Sequence, residues 1–152
     1  MLSTDELISL SVTQVHGLTS GQLAALTATQ MGGVGLAQLG GLTTGQFVGL
    51  ASTSLLVLTT TQINVLTTSQ IHALTATQVY GISSDDIGAL ATTQINALTT
   101  VAIQALNMTQ IQAMTTTEIG SLTAVQAHAF SPAQRIDLTT TQFTTYLGIP
   151  GL

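Results

Sequence analysis

Cysteine and tryptophan are missing from this 152-residue chain, and Arg135 is its only Lys or Arg. Each shortage excludes something. Without cysteine there is no disulfide framework and no thiolate metal site, although the compartment stays open. A nucleic-acid binder must neutralise phosphates with Lys and Arg. A chain with one base and a formal net charge of −5 does not do so, and it is not drawn to anionic lipid either. Charged residues make up 5%, against ~25% in ordinary soluble domains, so solubility rests on Thr, Ser and Gln. The mean hydropathy of +0.52 would suit a membrane protein. Yet Thr, Ser and Gln interrupt every apolar stretch well short of the ~18 residues a spanning helix needs. No transmembrane segment is expected. MLSTDELISL lacks the basic start and long apolar stretch of a signal peptide, which leaves export by another route, or excision from a longer parent, open.

What the chain has in abundance is one sentence of eight letters, as in LTTTQINV, LTTSQIHA and LTATQVYG over residues 58–81. Internal periodicity takes precedence over other readings. Stepping by eight from Leu2 gives Leu10, Leu18, Leu26, Val34, Leu42 and so on to Phe130 and Leu138, apolar in all eighteen units. Position 6 runs from Leu7 and Val15 through Ile63 and Ile119 to Phe143, broken only by Arg135. Position 8 is mostly Gly, Ala or Ser. The register holds over residues 2–145, an array of eighteen octapeptides, followed by a C-terminal tail at 146–152.

A continuous helix does not fit this period. Eight residues at ~100° each leave a drift of roughly 80° per unit, so the leucines would spiral around the helix. A heptad coiled coil fails likewise. Read as a helix start, the octad makes sense. Position 2 is Ser or Thr in fourteen units and position 5 is Gln in thirteen, with Glu6, Glu118 and Asp86 as near relatives. Ser/Thr-x-x-Gln/Glu is the capping box: the hydroxyl accepts from the N3 amide, and the N3 side chain reaches back to the N-cap amide. Positions 1 and 6 are then N′ and N4, the hydrophobic staple. Pro132 after Ser131 suits the first helical position.

Eight residues thus make a capped turn and a half, a corner, and the next cap. A helix this short is marginal alone, and one cap contributes only about 0.5–2 kcal/mol. The rest comes from stacking neighbours through positions 1 and 6, with small residues at position 8 allowing close approach and the turn of the chain. The expected fold is all-α, a solenoid of very short capped helices. The rival is a β-solenoid, since Thr, Ile and Val favour strands. Against it, positions 1 and 6 have opposite parity and would point to opposite faces of a strand.

No catalytic constellation emerges. His16, His72 and His128 all stand at position 7, seven octads apart, which spreads them along a solenoid axis instead of gathering them at a metal. Asp85–Asp86 and Asp5–Glu6 lack the D-x-D-x-D-G pattern of a calcium loop and read as first-turn carboxylates favoured by the helix dipole. GGVGLAQLGG at 32–41 has no Walker lysine and keeps the octad with weaker caps. No Ser stands in a motif with His and a carboxylate. No catalytic, metal or cofactor-binding residue is assigned, no cofactor is expected, and an enzyme is not expected. Thr columns at positions 3 and 4, including Thr44, Thr60 and Thr68 with Thr61, Thr77 and Thr93, offer a hydroxyl surface for glycan, protein or ice. Val12, Leu36, Val101, Met108 and Val125 interrupt it.

The octad L-T-x-x-Q-I/V-x-A, as in LTTTQINV and LATTQINALTT, resembles tandem repeats of very long bacterial secreted or surface proteins labelled adhesin-like or haem-utilisation-like. That resemblance covers nearly the whole chain and implies an extracellular or cell-surface location and a stalk or spacer role. Each octad also resembles the start of a TAL-effector repeat, LTxxQVV. There the period is in the mid-thirties and carries a variable base-reading pair, which this acidic chain lacks. The functional expectation is a spacer, stalk or scaffold array. The alternative is a self-assembling filament or tube subunit, because low charge leaves little repulsion between copies. Self-association is the one partner expected, and nucleic acid is excluded.

Overall fold

A computed structural model describes residues 3–152 and is all-helical among them. Leu2, the first residue of the expected array, lies outside the described residues. Eighteen short helices follow one another, one per octad, from α1 (Thr4–Ser9), α2 (Val12–His16), α3 (Ser20–Ala24) and α4 (Ala28–Gly32) to α16 (Ala124–His128), α17 (Pro132–Asp137) and α18 (Thr140–Leu147). No strand occurs among the described residues, so the β-solenoid alternative falls. The reason is local: the box satisfies the helix's first N–H groups every eight residues and leaves no extended run long enough to pair.

The box forms as the spacing requires. At Thr67 the backbone N–H donates to Gln70 Oε1 at 2.8 Å, and the Gln70 N–H donates to Thr67 Oγ1 at 3.2 Å. Thirteen of the described helices carry both halves. Gly35 and Ala91 have no side-chain acceptor, and only the glutamine half remains there, from Gln38 and Gln94. Thr99 opposite Ala102 keeps only the hydroxyl half. Ala51 opposite Ser54 has neither.

The corner needs no special residue. Position 8 stays right-handed at Gly17, Gly33 and Gly49, with φ of −75°, −84° and −70°. Position 1 then turns extended, as at Leu42 (φ −60°, ψ 135°), while its N–H donates back to the position 6 carbonyl, Leu39 O, at 3.2 Å. No non-glycine residue has positive φ among those described. Small residues at position 8 therefore do not serve the bend, as the sequence suggested they would. They serve the approach of the next turn. A Cβ on Gly81 would overlap the Ser52 carbonyl oxygen, and one on Gly49 would press on Ser20.

Those contacts fix the superhelix. From α4 to α18, every helix packs on the one three places before it. One turn therefore takes three octads of eight residues, 24 in all. Leu7 to Ala127 at position 6 and Val34 to Leu138 at position 1 are buried and line a single continuous core. This is a one-dimensional stack with each turn resting on its neighbours.

The tail does not repeat the corner. α18 runs on through Leu147, beyond the register's last residue at 145. Tyr146 lands where the next position 1 would fall and is 2% exposed. Its ring meets Phe130 edge-on at 5.8 Å, and its hydroxyl donates to Ala127 O at 3.0 Å. Ile149 is buried behind it.

Candidate functional site

Position 5 carries more than the cap. Gln70 Nε2 donates to Leu39 O at 2.8 Å and to Leu42 O at 2.9 Å, 31 and 28 residues earlier. The same offsets recur at Gln78 with Phe47 and Leu50, at Gln110 with Val79 and Ile82, and at Gln126 with Ile95 and Leu98. Helix ends leave carbonyls without intrahelical partners, and a buried orphan is costly. Each glutamine of this column from Gln38 on thus closes the start of its own helix with its oxygen and the end of a helix in the turn below with its nitrogen. Glutamate matches only the first task, which is why an amide dominates the column.

Two acids in that column show the difference. Glu6 is exposed in the first turn, and hydrogen bonds from Ser3, backbone first and hydroxyl second, hold its carboxyl below the usual carboxylate range. Glu118 makes the same box with Thr115 but is 3% exposed. Burial pushes its carboxyl up, against the lowering by the Thr115 N–H and hydroxyl. The glutamines of this column donate to carbonyls 31 and 28 residues earlier, a bond that an ionised carboxylate has no proton to make. Folding therefore raises the proton affinity of Glu118 relative to the unfolded chain. Its stabilising contribution is present below the unfolded pKa and is lost as pH rises through the raised folded value. Glu118→Gln supplies a donor at every pH. It is expected to raise stability at neutral pH by about 1–2 kcal/mol and to leave it little changed under acid. Urea unfolding of both proteins at pH 3.5 and pH 7 checks this, and equal gains at the two values would refute the assignment.

Asp86 is too short for the glutamine's role. It accepts from Ser83 Oγ at 2.6 Å and from Thr60 Oγ1, one turn below, at 2.8 Å. It is 4% exposed, so it is a structural acceptor between turns.

The histidines do not converge. Seven octads are two turns and one octad when three make a turn, so His16, His72 and His128 fall on three different columns. His16 Nε2 meets Gly41 O, and His72 Nδ1 lies 3.2 Å from Ala97 O, both 25 residues ahead. Gln112 Nε2 donates to Asp137 O at the same offset, 3.1 Å. His16, His72 and Gln112 thus make a second, outer rung between turns. His128 turns to Ala124 O in its own helix at 2.7 Å instead. Thr44, Thr60, Thr68, Thr61, Thr77 and Thr93 all sit exposed at the starts of their helices. Gly35, within residues 32–41, caps α5 (Leu36–Gly41) through its backbone N–H alone. No helix among the described residues is long and apolar enough to cross a membrane.

The phase that recurs along the structure is a small residue, a core leucine, a capping hydroxyl, two outer residues and the bridging glutamine. It is written ALTATQ at residues 25–30 and again at 73–78. Residues 79–116 match the family model described as ALTTAQ repeat. The ALTTAQ hexad falls on position 8 and positions 1 to 5, so its last letter is the glutamine that joins turns. In this chain the ALTTAQ match includes two departures at that place, Asp86 and Ala102. No curated protein and no solved structure matches the chain.

The double role of glutamine escaped sequence reasoning because its partners lie four octads away. One signal pointed to it. A box is satisfied by Glu or Gln alike, so thirteen glutamines against two glutamates indicate a need for a donor.

Proposed function

We propose that the array is a non-enzymatic spacer or scaffold whose length is set by the number of octads, carried by a secreted or cell-surface protein. The observation that carries this reading is the repeated joint: every helix from α4 onward rests on the one three places before it, around one continuous apolar core. Adding octads then adds length without altering what exists. The octad's resemblance to repeats of long bacterial surface proteins supports the extracellular placement. Small-angle scattering tests the mechanical part. Inserting one or two further copies of residues 58–81, each a full turn, is expected to lengthen the particle by about 8–10 Å per copy, the usual interaxial distance of packed helices. Its cross-section should stay constant. A compact particle whose dimensions grow in all directions would refute the reading.

A second reading is an assembling filament subunit, supported by the low charge of 5%, which leaves little repulsion between copies, with some apolar side chains left partly open. Leu10, Leu18 and Leu26 are half-buried, whereas position 1 is buried from Val34 on. Phe143 is 41% exposed in α18.

A further inference from the structure

With three octads to a turn, the helices fall into three columns, one along each face of the stack. The faces are not alike. One is built from α1, α4, α7 (Ser52–Leu56), α10 (Ala76–Val79), α13 (Thr100–Ala105) and α16, each packed on the one before it in that series. From α7 to α16, four successive turns of this face each present one large apolar side chain to solvent. They are Leu56, Tyr80, Val101 and Val125, all more than half exposed. These side chains stand at positions 7 and 4, three residues apart on a helix, so they share its outer side. No Asp, Glu, Lys or Arg lies in the five octads of this face from α4 to α16, residues 26–33, 50–57, 74–81, 98–105 and 122–129. On the second column, Leu36 and Met108 are separated by two turns that expose Thr61 and Asp85. The third column carries hydroxyls, with Thr44, Thr68, Thr92, Thr116 and Thr140 at position 3, one every 24 residues. None of the five residues that interrupt the Thr pattern falls there. Val101 and Val125 lie on the apolar face, and Val12, Leu36 and Met108 on the second.

We infer that this apolar face is covered by the same face of a second copy, the two stacks lying side by side. The pairing goes beyond the spacer reading, which stands with or without it. The chemistry of the face suits its own image. It offers nothing to steer or hold a charged partner, and it meets itself without repulsion. A row of large apolar side chains that includes a tyrosine, rimmed by the exposed Thr53, Thr77 and Gln104, has the make-up of a contact surface. The area suffices. Four of eighteen helices take roughly 1,600 Å² of the 7005 Å² that the chain exposes, and a stable dimer covers only ~800 Å² per partner. A face in contact with its own copy is isologous and closes at two. Because only one face of three is apolar, the hydroxyl column stays in water. The pair keeps the length that the octads set.

Sedimentation equilibrium of the full 152-residue chain over about two decades of concentration tests this. The expected result is a mass that reaches twice 15.6 kDa and rises no further. Val101→Glu with Val125→Glu sets like charges against the facing copy and should weaken association at least ~100-fold. Both carboxylates fall in the first turn of a helix, where its dipole favours them, so the helical circular dichroism spectrum should be unchanged. Tyr80→Ser, which adds no charge, should weaken association by about 10-fold or more. Ser69→Glu with Thr93→Glu makes the same charge change at the same helix position on the hydroxyl column, and the dimer should survive it. A dimer that survives Val101→Glu with Val125→Glu, or one lost equally in both double variants, would overturn the assignment of the face. A wild-type chain that stays monomeric at every concentration would overturn the pairing and leave the spacer reading to its scattering test. A mass that climbs past the dimer without limit would overturn the closed pair in favour of the filament.

Discussion

Replacing Gln70 with Met is expected to cost about 3–5 kcal/mol of unfolding free energy, while Gln14→Met costs less than about 1 kcal/mol. Both glutamines complete the same capping box. Gln70 is 1% exposed, and its loss leaves the Thr67 N–H and the Leu42 carbonyl without a partner and the Leu39 carbonyl with the Leu42 N–H alone. Met keeps the length and fills the space, so the loss reads hydrogen bonding and not a cavity. Burial makes each orphan expensive, at about 1–3 kcal/mol, although two in one place need not add to their sum. Gln14 lies in the first turn, where the cap is exposed and water replaces it. Urea unfolding of the two variants beside the parent gives the comparison. Equal losses would mean that the glutamine acts only as a cap.

A second pair of substitutions separates close approach from helix propensity. Gly81→Ala is expected to destabilise by about 3 kcal/mol or more, at the upper end of overpacking costs. The added carbon would meet the Ser52 carbonyl and backbone of the turn below, which cannot swing aside as a side chain can. Gly45→Ala, in α6 (Thr44–Val48), adds a carbon with nothing within 4 Å. There the helix gains about 0.5–1 kcal/mol. Thermal unfolding should shift down for the first and up for the second. A neutral Gly81→Ala would mean that the turns around α7 (Ser52–Leu56) and α10 (Ala76–Val79) stand farther apart than described.

The helical character of this fold is readable because its decisive hydrogen bonds are local. Thr67 and Gln70 are three residues apart, so their spacing shows in the letters, as does the staple between Leu66 and Ile71. The core columns follow from the same spacing. What the letters do not mark is how many octads close a turn. That number depends on the angle at each corner, set at Leu42 and its equivalents by a backbone any residue can adopt. The outer rung from His72 to Ala97 was hidden for that reason, since 25 residues mean nothing until the turn is known. Gln14 and Gln78 read alike in the sequence, and only the stack shows the turn that lies beneath Gln78.

The measurement closest to the heart of this architecture is a nuclear Overhauser spectrum that follows the side-chain amide protons of the glutamines. With three octads to a turn, the Gln70 Nε2 protons should show cross-peaks to Leu39 and Leu42, and those of Gln78 to Phe47 and Leu50. Gln14 and Gln22 should show no such partners at 28 to 31 residues' distance. Cross-peaks confined to residues of the same octad, or falling at any other multiple of the repeat, would contradict the joint on which the whole stack depends.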